Sequence, residues 1–187
     1  MGRAGRGRRY GAEVTASPPP LLFLDVDGPL LPFGANPRQC PDGYPVYGAA
    51  DGVAEAGGNP LVTRIDPAHG PRLMALPCEL VWATTWMSEA NDCICPWLGL
   101  PELPLVDWPD PAPEEPPGLH WKTPGLVGWA AGRPFAWVDD EITDTDRAWV
   151  AEHHPPGLAL LHHVEAWRGL TDADFTALDA WLRRTPG

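Results

Sequence analysis

Carboxylate and hydroxyl side chains follow three short apolar runs of the sequence: Asp25 and Asp27 the first, Thr84 the second, and Asp139 with Asp140 the third. Carboxylates that converge repel one another unless a cation lies among them. Mg²⁺ prefers oxygen ligands and commonly binds one or two carboxylates together with substrate phosphate oxygens. An Asp beside such a metal can also attack phosphorus and form an aspartyl phosphate. These residue types therefore indicate phosphoryl chemistry at a Mg²⁺ site.

Lys122 is the only lysine among the 13 basic residues of the chain. The other basic residues are all Arg, so a lysine at this position indicates a need for a compact point charge, as in phosphate chemistry. Lys122 also precedes the apolar run 135–138, at the start of a predicted helix. We therefore expect it to join the carboxylates.

The elements that position these residues alternate between strands and helices. Short apolar runs bounded by Pro and Gly predict strands at 21–24, 80–83, 105–106, 135–138 and 158–161. Helices are predicted at 67–76, 88–98, 125–131 (with Thr123 as N-cap), 143–153 and from Thr171 to about residue 184. Runs that are apolar on both faces are typical of a parallel sheet covered by helices, so we expect an α/β sandwich. Ligands of such sheets bind at the carboxyl ends of the strands, where the candidate residues stand.

Three segments depart from this alternation. Residues 1–19 contain four Arg and end in a Pro run, which predicts a disordered basic arm ahead of a single domain at 20–187. Residues 30–65 carry little helix signal, and the stretches 44–47 and 61–65 predict a β-hairpin flap. Residues 109–119 predict an acidic, Pro-rich loop.

Composition excludes several classes of partner. The formal net charge of −12 disfavours duplex nucleic acid and anionic membranes, since both require clustered cations. No apolar run is long enough to span a membrane. The four Cys are too few and too unevenly spaced for a disulfide framework, which predicts reduced thiols and a cytoplasmic protein. The oligomeric state is not predicted.

The order of these motifs resembles the four-motif signature of the haloacid dehalogenase (HAD) superfamily. Residues 21–28 match the first motif, an apolar strand followed by D-x-D-G, and residues 81–84 match the second, an apolar strand ending in Thr. Lys122 matches the third, and residues 136–140 match the fourth. The resemblance covers residues 21 to about 184. Pro29 departs from the Thr or Val common at that position, which is not a ligand in the family.

The resemblance implies a three-layer, Rossmann-like sandwich and a Mg²⁺-dependent phosphohydrolase with an aspartyl-phosphate intermediate. Asp25 would be the nucleophile. Asp27 would protonate the leaving alcohol and then activate water, and its presence distinguishes the phosphatases and phosphotransferases of the family from the dehalogenases. Thr84 would hydrogen-bond a phosphoryl oxygen, and Lys122 would neutralise the negative charge of the transferring phosphoryl group.

The resemblance also implies a set of Mg²⁺ ligands. Asp25 and Asp139 would bind the ion through their carboxylates, and Asp27 through its backbone carbonyl. Asp140 would be a further ligand or would orient Lys122.

The segments between the motifs leave little room for a cap domain. Residues 30–65 suffice for a flap but not for a helical cap, and the 84–122 segment already holds a helix, a strand and the acidic loop. The sequence therefore predicts a nearly capless enzyme with an open site that admits phosphorylated substrates, including bulky ones.

Three alternative functions share the same residues. One is a non-catalytic module that binds a phosphorylated partner, and a second is a phosphotransferase. The third is a nucleotide or RNA-end phosphatase, suggested by the open site and by Trp86, Trp108 and Trp121, which are predicted near the site and could stack on a nucleobase, although packing in the core or at the rim is the favoured role for these tryptophans.

Overall fold

The computed structural model describes residues 18–48, 59–108 and 116–185. These residues form an α/β fold around a four-stranded parallel sheet with strand order β2-β1-β3-β4. The strands are β1 (Leu21–Leu24), β2 (Glu79–Trp82), β3 (Phe135–Asp139) and β4 (Ala159–His163). The predicted α/β class and the parallel sheet are confirmed, and the arrangement is compatible with a Rossmann-like fold.

Helices cover both faces of the sheet. They are α1 (His69–Met74), α2 (Cys95–Leu98), α3 (Lys122–Ala130), α4 (Asp144–His153) and α5 (Asp172–Arg184). Alternate residues of a strand point to opposite faces, so Leu22 and Leu24 pack in a core with α1, α2 and α5. Leu21 and Phe23 pack in a second core with α3 and α4. All four β1 residues are fully buried, which explains why this strand is apolar throughout.

The predicted strand at 105–106 is wrong. Only a single parallel bridge joins Leu105 to Trp82, with the Trp82 N–H donating to the carbonyl of Pro104 (2.8 Å) and the Val106 N–H donating to that of Trp82 (2.9 Å). Pro101 and Pro104 have no N–H to donate, so this segment cannot continue a ladder along β2.

The predicted β-hairpin flap is also wrong in the residues described. Residues 44–47 form a loop, and Pro60–Arg64 forms a 3₁₀ helix that begins where the Asn59 side chain accepts the Leu61 N–H. One hydrogen bond joins the two stretches, from the Tyr47 N–H to the Thr63 carbonyl (2.7 Å). The prolines remove strand donors, and the Asn cap favours a helical turn. Residues 49–58 of the predicted flap lie outside the described part.

Helix boundaries match the predictions unevenly. Thr143 and Thr171, the first residues of two predicted helices, each form a capping box, with Asp146 and Asp174 respectively. Thr123 is not the N-cap of α3, since that helix already begins at Lys122. The predicted helix 67–76 shortens to α1, and the helix predicted at 88–98 is a π-helical turn, Ala90–Ile94, that continues into α2.

Two predicted segments fall mostly outside the described residues: positions 1–17 of the basic arm and positions 109–115 of the acidic loop. Within the described ranges, no helix has the length and apolar character needed to cross a membrane.

Candidate active site

Three predicted site residues form a buried ionic cluster at the carboxyl edge of the sheet. Asp25 follows β1 and Asp139 ends the neighbouring β3, so the parallel pairing brings the two carboxylates to the same edge. Lys122 begins α3 and lies between them: its Nζ donates to Asp25 Oδ2 and to Asp139 Oδ2, both at 2.8 Å. The exposed fractions of the three residues are 6%, 0% and 2% for Asp25, Asp139 and Lys122.

Further hydrogen bonds fix the two carboxylates. Asp25 Oδ1 accepts the Val26 N–H at 2.8 Å. Asp139 Oδ1 accepts the Glu141 N–H at 2.9 Å, and its Oδ2 also accepts the indole N–H of Trp137 at 3.2 Å. Both carboxylates are therefore held in one orientation.

The cluster carries an excess of negative charge. Burial raises the pKa of Asp25 to about 7; Lys122 opposes this rise, and Asp139 adds to it. Burial alone would lower the pKa of Lys122, but Asp25 and Asp139 raise it above its ordinary value. Burial and the neighbouring Asp139 raise the pKa of Asp140 to about 6. The lysine is therefore charged at neutral pH, while the carboxylates favour an additional cation or proton.

Asp140 completes a group of three carboxylates. One oxygen each from Asp25, Asp139 and Asp140 lies within 4.8 Å of the others, a spacing that suits a shared cation. Gly28 makes this approach possible: it adopts a φ of +82°, and a Cβ there would lie 2.5 Å from the Asp140 carboxyl carbon. The Lys122 ammonium is oriented by Asp25 and Asp139, so the geometry favours Asp140 as a ligand rather than as the orienting partner of Lys122.

Asp27 lies beside this cluster and is half-buried. Its Oδ2 accepts the indole N–H of Trp86 at 3.0 Å. The turn that carries it is closed by backbone bonds from Leu30 and Leu31 to the Val26 carbonyl, at 3.0 and 2.9 Å. Asp27 is therefore oriented by an indole, whereas Asp25 and Asp139 are held by Lys122.

Thr84 is buried at the end of β2, on the other side of β1. Its Oγ1 accepts the Trp86 N–H at 3.3 Å, and its carbonyl accepts the Trp108 indole N–H at 3.4 Å. Trp86 thus contacts Asp27 through its indole and Thr84 through its backbone N–H, so one residue connects these two predicted site residues.

Asp146 is a buried residue that sequence reasoning did not assign to the site. Its carboxylate accepts hydrogen bonds from the His120 N–H (2.8 Å), from the Thr123 hydroxyl (2.6 Å), and from the N–H and hydroxyl of Thr143 (2.8 and 2.6 Å). Burial opposes ionisation, but these donors hold the pKa of Asp146 below its ordinary value. Asp146 therefore ties the start of α3, where Lys122 stands, to the start of α4.

His120 is the second residue that sequence reasoning missed. Its Nδ1 accepts the Lys122 N–H at 3.1 Å, which leaves Nε2 to donate to Glu141 Oε2 at 3.0 Å. The Thr143-x-x-Asp146 pattern signals a capping box, but no sequence pattern places His120 and Asp146 in contact, because they are 26 positions apart.

A cavity of about 250 Å³ lies beside the turn that follows β1. Its lining includes Leu30 and Pro32 from that turn, together with Arg64 and Trp167, but none of the predicted site residues. The ionic cluster is therefore separate from this cavity.

Comparisons of this chain with protein-family models, with curated proteins and with solved structures found no match. Its function must therefore be argued from the ionic cluster and the residues that surround it.

Proposed function

We propose that the protein is a Mg²⁺-dependent phosphohydrolase of the HAD type, which cleaves phosphomonoesters through an aspartyl-phosphate intermediate on Asp25. The observation that carries this proposal is the position of the Lys122 ammonium, at 2.8 Å from both Asp25 and Asp139. A buried cation between two carboxylates at the carboxyl edge of a parallel sheet suits a site for a transferring phosphoryl group.

The residues present fit a Mg²⁺ ion. Asp25, Asp139 and Asp140 supply hard oxygen ligands within 4.8 Å of one another, and three carboxylates outnumber the single ammonium. The raised pKa values of Asp25 and Asp140 support the same conclusion, since burial, and to a smaller extent the neighbouring Asp139, disfavours their charged forms and a bound cation would offset this. When bound, Mg²⁺ would neutralise charge on the phosphoryl oxygens and polarise the phosphorus.

In the first step the Asp25 carboxylate attacks phosphorus, an O–P bond forms, and the bond from phosphorus to the ester oxygen breaks. Asp27 gives its proton to the leaving alcohol. Lys122 neutralises charge on the transferring group, and the Thr84 hydroxyl donates a hydrogen bond to a phosphoryl oxygen.

In the second step water attacks the phosphorus of the aspartyl phosphate. Asp27, now a carboxylate, takes the proton of that water, and the bond between phosphorus and the Asp25 oxygen breaks. Inorganic phosphate leaves, and both carboxyl groups return to their starting states. The hydrogen bond from Trp86 keeps one Asp27 oxygen occupied, so the other oxygen is the one that exchanges the proton.

The four cysteines form no disulfide with one another, which supports action in the reducing cytoplasm. Between β1 and β2 the described residues form a 3₁₀ helix and α1 but no helical cap domain, which supports a nearly capless enzyme for phosphomonoesters, including bulky ones.

The experiment is phosphate release from an aryl phosphate by wild type and Asp25→Asn, each with Mg²⁺ and with EDTA. Asn preserves the shape of the side chain but cannot form an acyl phosphate. We expect release only from wild type with Mg²⁺, and Asp172→Asn, at an exposed acid of α5, should act like wild type. Release that is unchanged in Asp25→Asn would refute the assignment, and an acceptor alcohol added to the assay distinguishes phosphotransfer from hydrolysis.

A further inference from the structure

An exposed tryptophan ring lies next to the ionic cluster. Trp121 immediately precedes Lys122 and has an exposed fraction of 41%, although tryptophans elsewhere in the fold, such as Trp82 and Trp137, are fully buried. The Lys122 Nζ lies 5.8 Å from the centre of the Trp121 ring and 2.8 Å from Asp25 Oδ2. The distance from the Trp121 ring centre to Asp25 Oδ2 therefore cannot exceed the sum of these two distances.

The position of the Trp121 ring is fixed by other aromatic groups. Trp108 packs edge-on against it, with ring centres 4.8 Å apart at 68°, and Trp108 is itself held by its bond to the Thr84 carbonyl. His120 stacks with Trp121 at 5.7 Å and 29°, and is held by the Lys122 N–H and by Glu141. The ring is therefore pre-organised and does not have to be ordered when a ligand binds.

Charge favours recognition by stacking over recognition by cations. The chain has a net charge of −12, and its one lysine is already engaged by Asp25 and Asp139. A planar ring in the leaving group would gain affinity by stacking on the exposed part of the Trp121 side chain, without any further positive charge.

We propose that Trp121 is the platform on which the leaving group of the substrate stacks, so that the preferred substrates are phosphomonoesters bearing a planar aromatic ring. The proposal rests on the phosphohydrolase function, since it places the phosphoryl group at Asp25 and the ring on Trp121. Aryl phosphates and nucleoside monophosphates share the required chemistry, and the assay separates these two sources.

The experiment compares hydrolysis of 1-naphthyl phosphate, adenosine 5′-monophosphate and the ringless glycerol 3-phosphate by wild type, Trp121→Leu and Trp121→Tyr. We expect Trp121→Leu to raise KM for ring-bearing substrates about tenfold while KM for glycerol 3-phosphate stays nearly constant, and Tyr to restore most of the loss. A larger KM change for 1-naphthyl phosphate assigns the platform to aryl phosphates, and a larger change for adenosine 5′-monophosphate assigns it to nucleoside monophosphates. An equal change for ring-bearing and ringless substrates, or no change for any, overturns the proposal.

Trp149 offers a matched control, because it also stacks on a histidine, His153, with 3.9 Å between the ring centres. Trp149 lies within α4 and not beside Lys122 in the sequence. Trp149→Leu should leave every KM unchanged.

A binding measurement separates failure of this inference from failure of the phosphohydrolase function. Calorimetry with Mg²⁺ compares naphthylmethyl phosphonate, which has no ester bond to cleave, with methyl phosphonate. If no substrate is hydrolysed, tighter binding of the ring-bearing phosphonate that Trp121→Leu abolishes and Trp121→Tyr retains supports the platform alone. Equal binding of the two phosphonates by wild type refutes it.

Discussion

Replacing Lys122 with Met tests the charge balance of the buried cluster. Met has a similar length but no charge, so the variant leaves Asp25 and Asp139 without their shared cation, from which each lies 2.8 Å away. Lys122 and Asp139 are almost entirely inaccessible to solvent, so water cannot replace the missing ammonium.

The size of the effect follows from burial. Removing one partner of a buried ion pair costs about 3–5 kcal/mol, because the remaining charge stays desolvated. The cost must depend on pH. The pKa of Asp25 is already raised to about 7, and an acid with a raised pKa in the folded state destabilises that state as pH increases through the pKa. Loss of Lys122 raises this pKa further, so the deficit is largest at pH 8 and smaller at pH 5, where the carboxyl groups can be protonated.

The assay is urea unfolding of both proteins at pH 5 and pH 8 in EDTA. Arg183→Met is the control, because its ion pair with Asp179 has the same 2.8 Å length but lies on the exposed face of α5, and its loss should have no measurable effect at either pH. A deficit for Lys122→Met below about 1 kcal/mol at both pH values, the size expected of an exposed pair, would refute the buried-cluster reasoning.

Three further predictions concern the groups around the cluster. Asp146→Asn should lower the unfolding free energy by about 1–3 kcal/mol, since one of the two acceptor oxygens of a four-bond network is lost. The variant should also lose less unfolding free energy than wild type below pH 4, where the wild-type protein loses the stability that the depressed pKa of Asp146 provides. Urea titrations at pH 3 and pH 7 that show the same change in unfolding free energy for both proteins would contradict this. Trp86→Phe removes the 3.0 Å hydrogen bond to Asp27 and should reduce kcat about tenfold with little change in KM, as measured by steady-state kinetics, whereas an unchanged kcat would show that Trp86 does not orient Asp27. Mg²⁺ should raise the Tm more at pH 8 than at pH 5, because at pH 5 protons occupy Asp25 (pKa about 7) and Asp140 (pKa about 6). A Mg²⁺-induced Tm shift that is independent of pH would contradict binding of the ion at these carboxylates.

The convergence of Asp25, Lys122 and Asp139 could be predicted from the sequence because the physics is local and simple. Apolar runs on both faces specify a parallel sheet, and a parallel sheet places all of its carboxyl ends at one edge. The caps of α4 and α5 were predictable for the same reason, since a capping box depends on two residues three positions apart.

Features that depend on tertiary contacts or on competing local signals were not predictable in this way. The hairpin prediction is wrong because the Asn59 cap and Pro60 favour a 3₁₀ turn. The composition of residues 61–65, taken alone, indicates a strand. Thr123 looked like a helix cap, but its hydroxyl is engaged by Asp146, 23 positions away. The roles of His120 and Asp146 depend on the packing of α3 beside α4, which spacing does not reveal.

The most direct test of the central claim is to locate the covalent phosphate. Asp27→Asn is incubated with Mg²⁺ and an aryl phosphate, whose good leaving group needs little protonation, then quenched in acid and mapped by peptide mass spectrometry. The mechanism predicts that the phosphoryl group accumulates on Asp25, because without Asp27 the second step lacks its base. A phosphoryl group on any other residue, or no covalent phosphate in Asp27→Asn while the wild-type enzyme turns over, would contradict the mechanism.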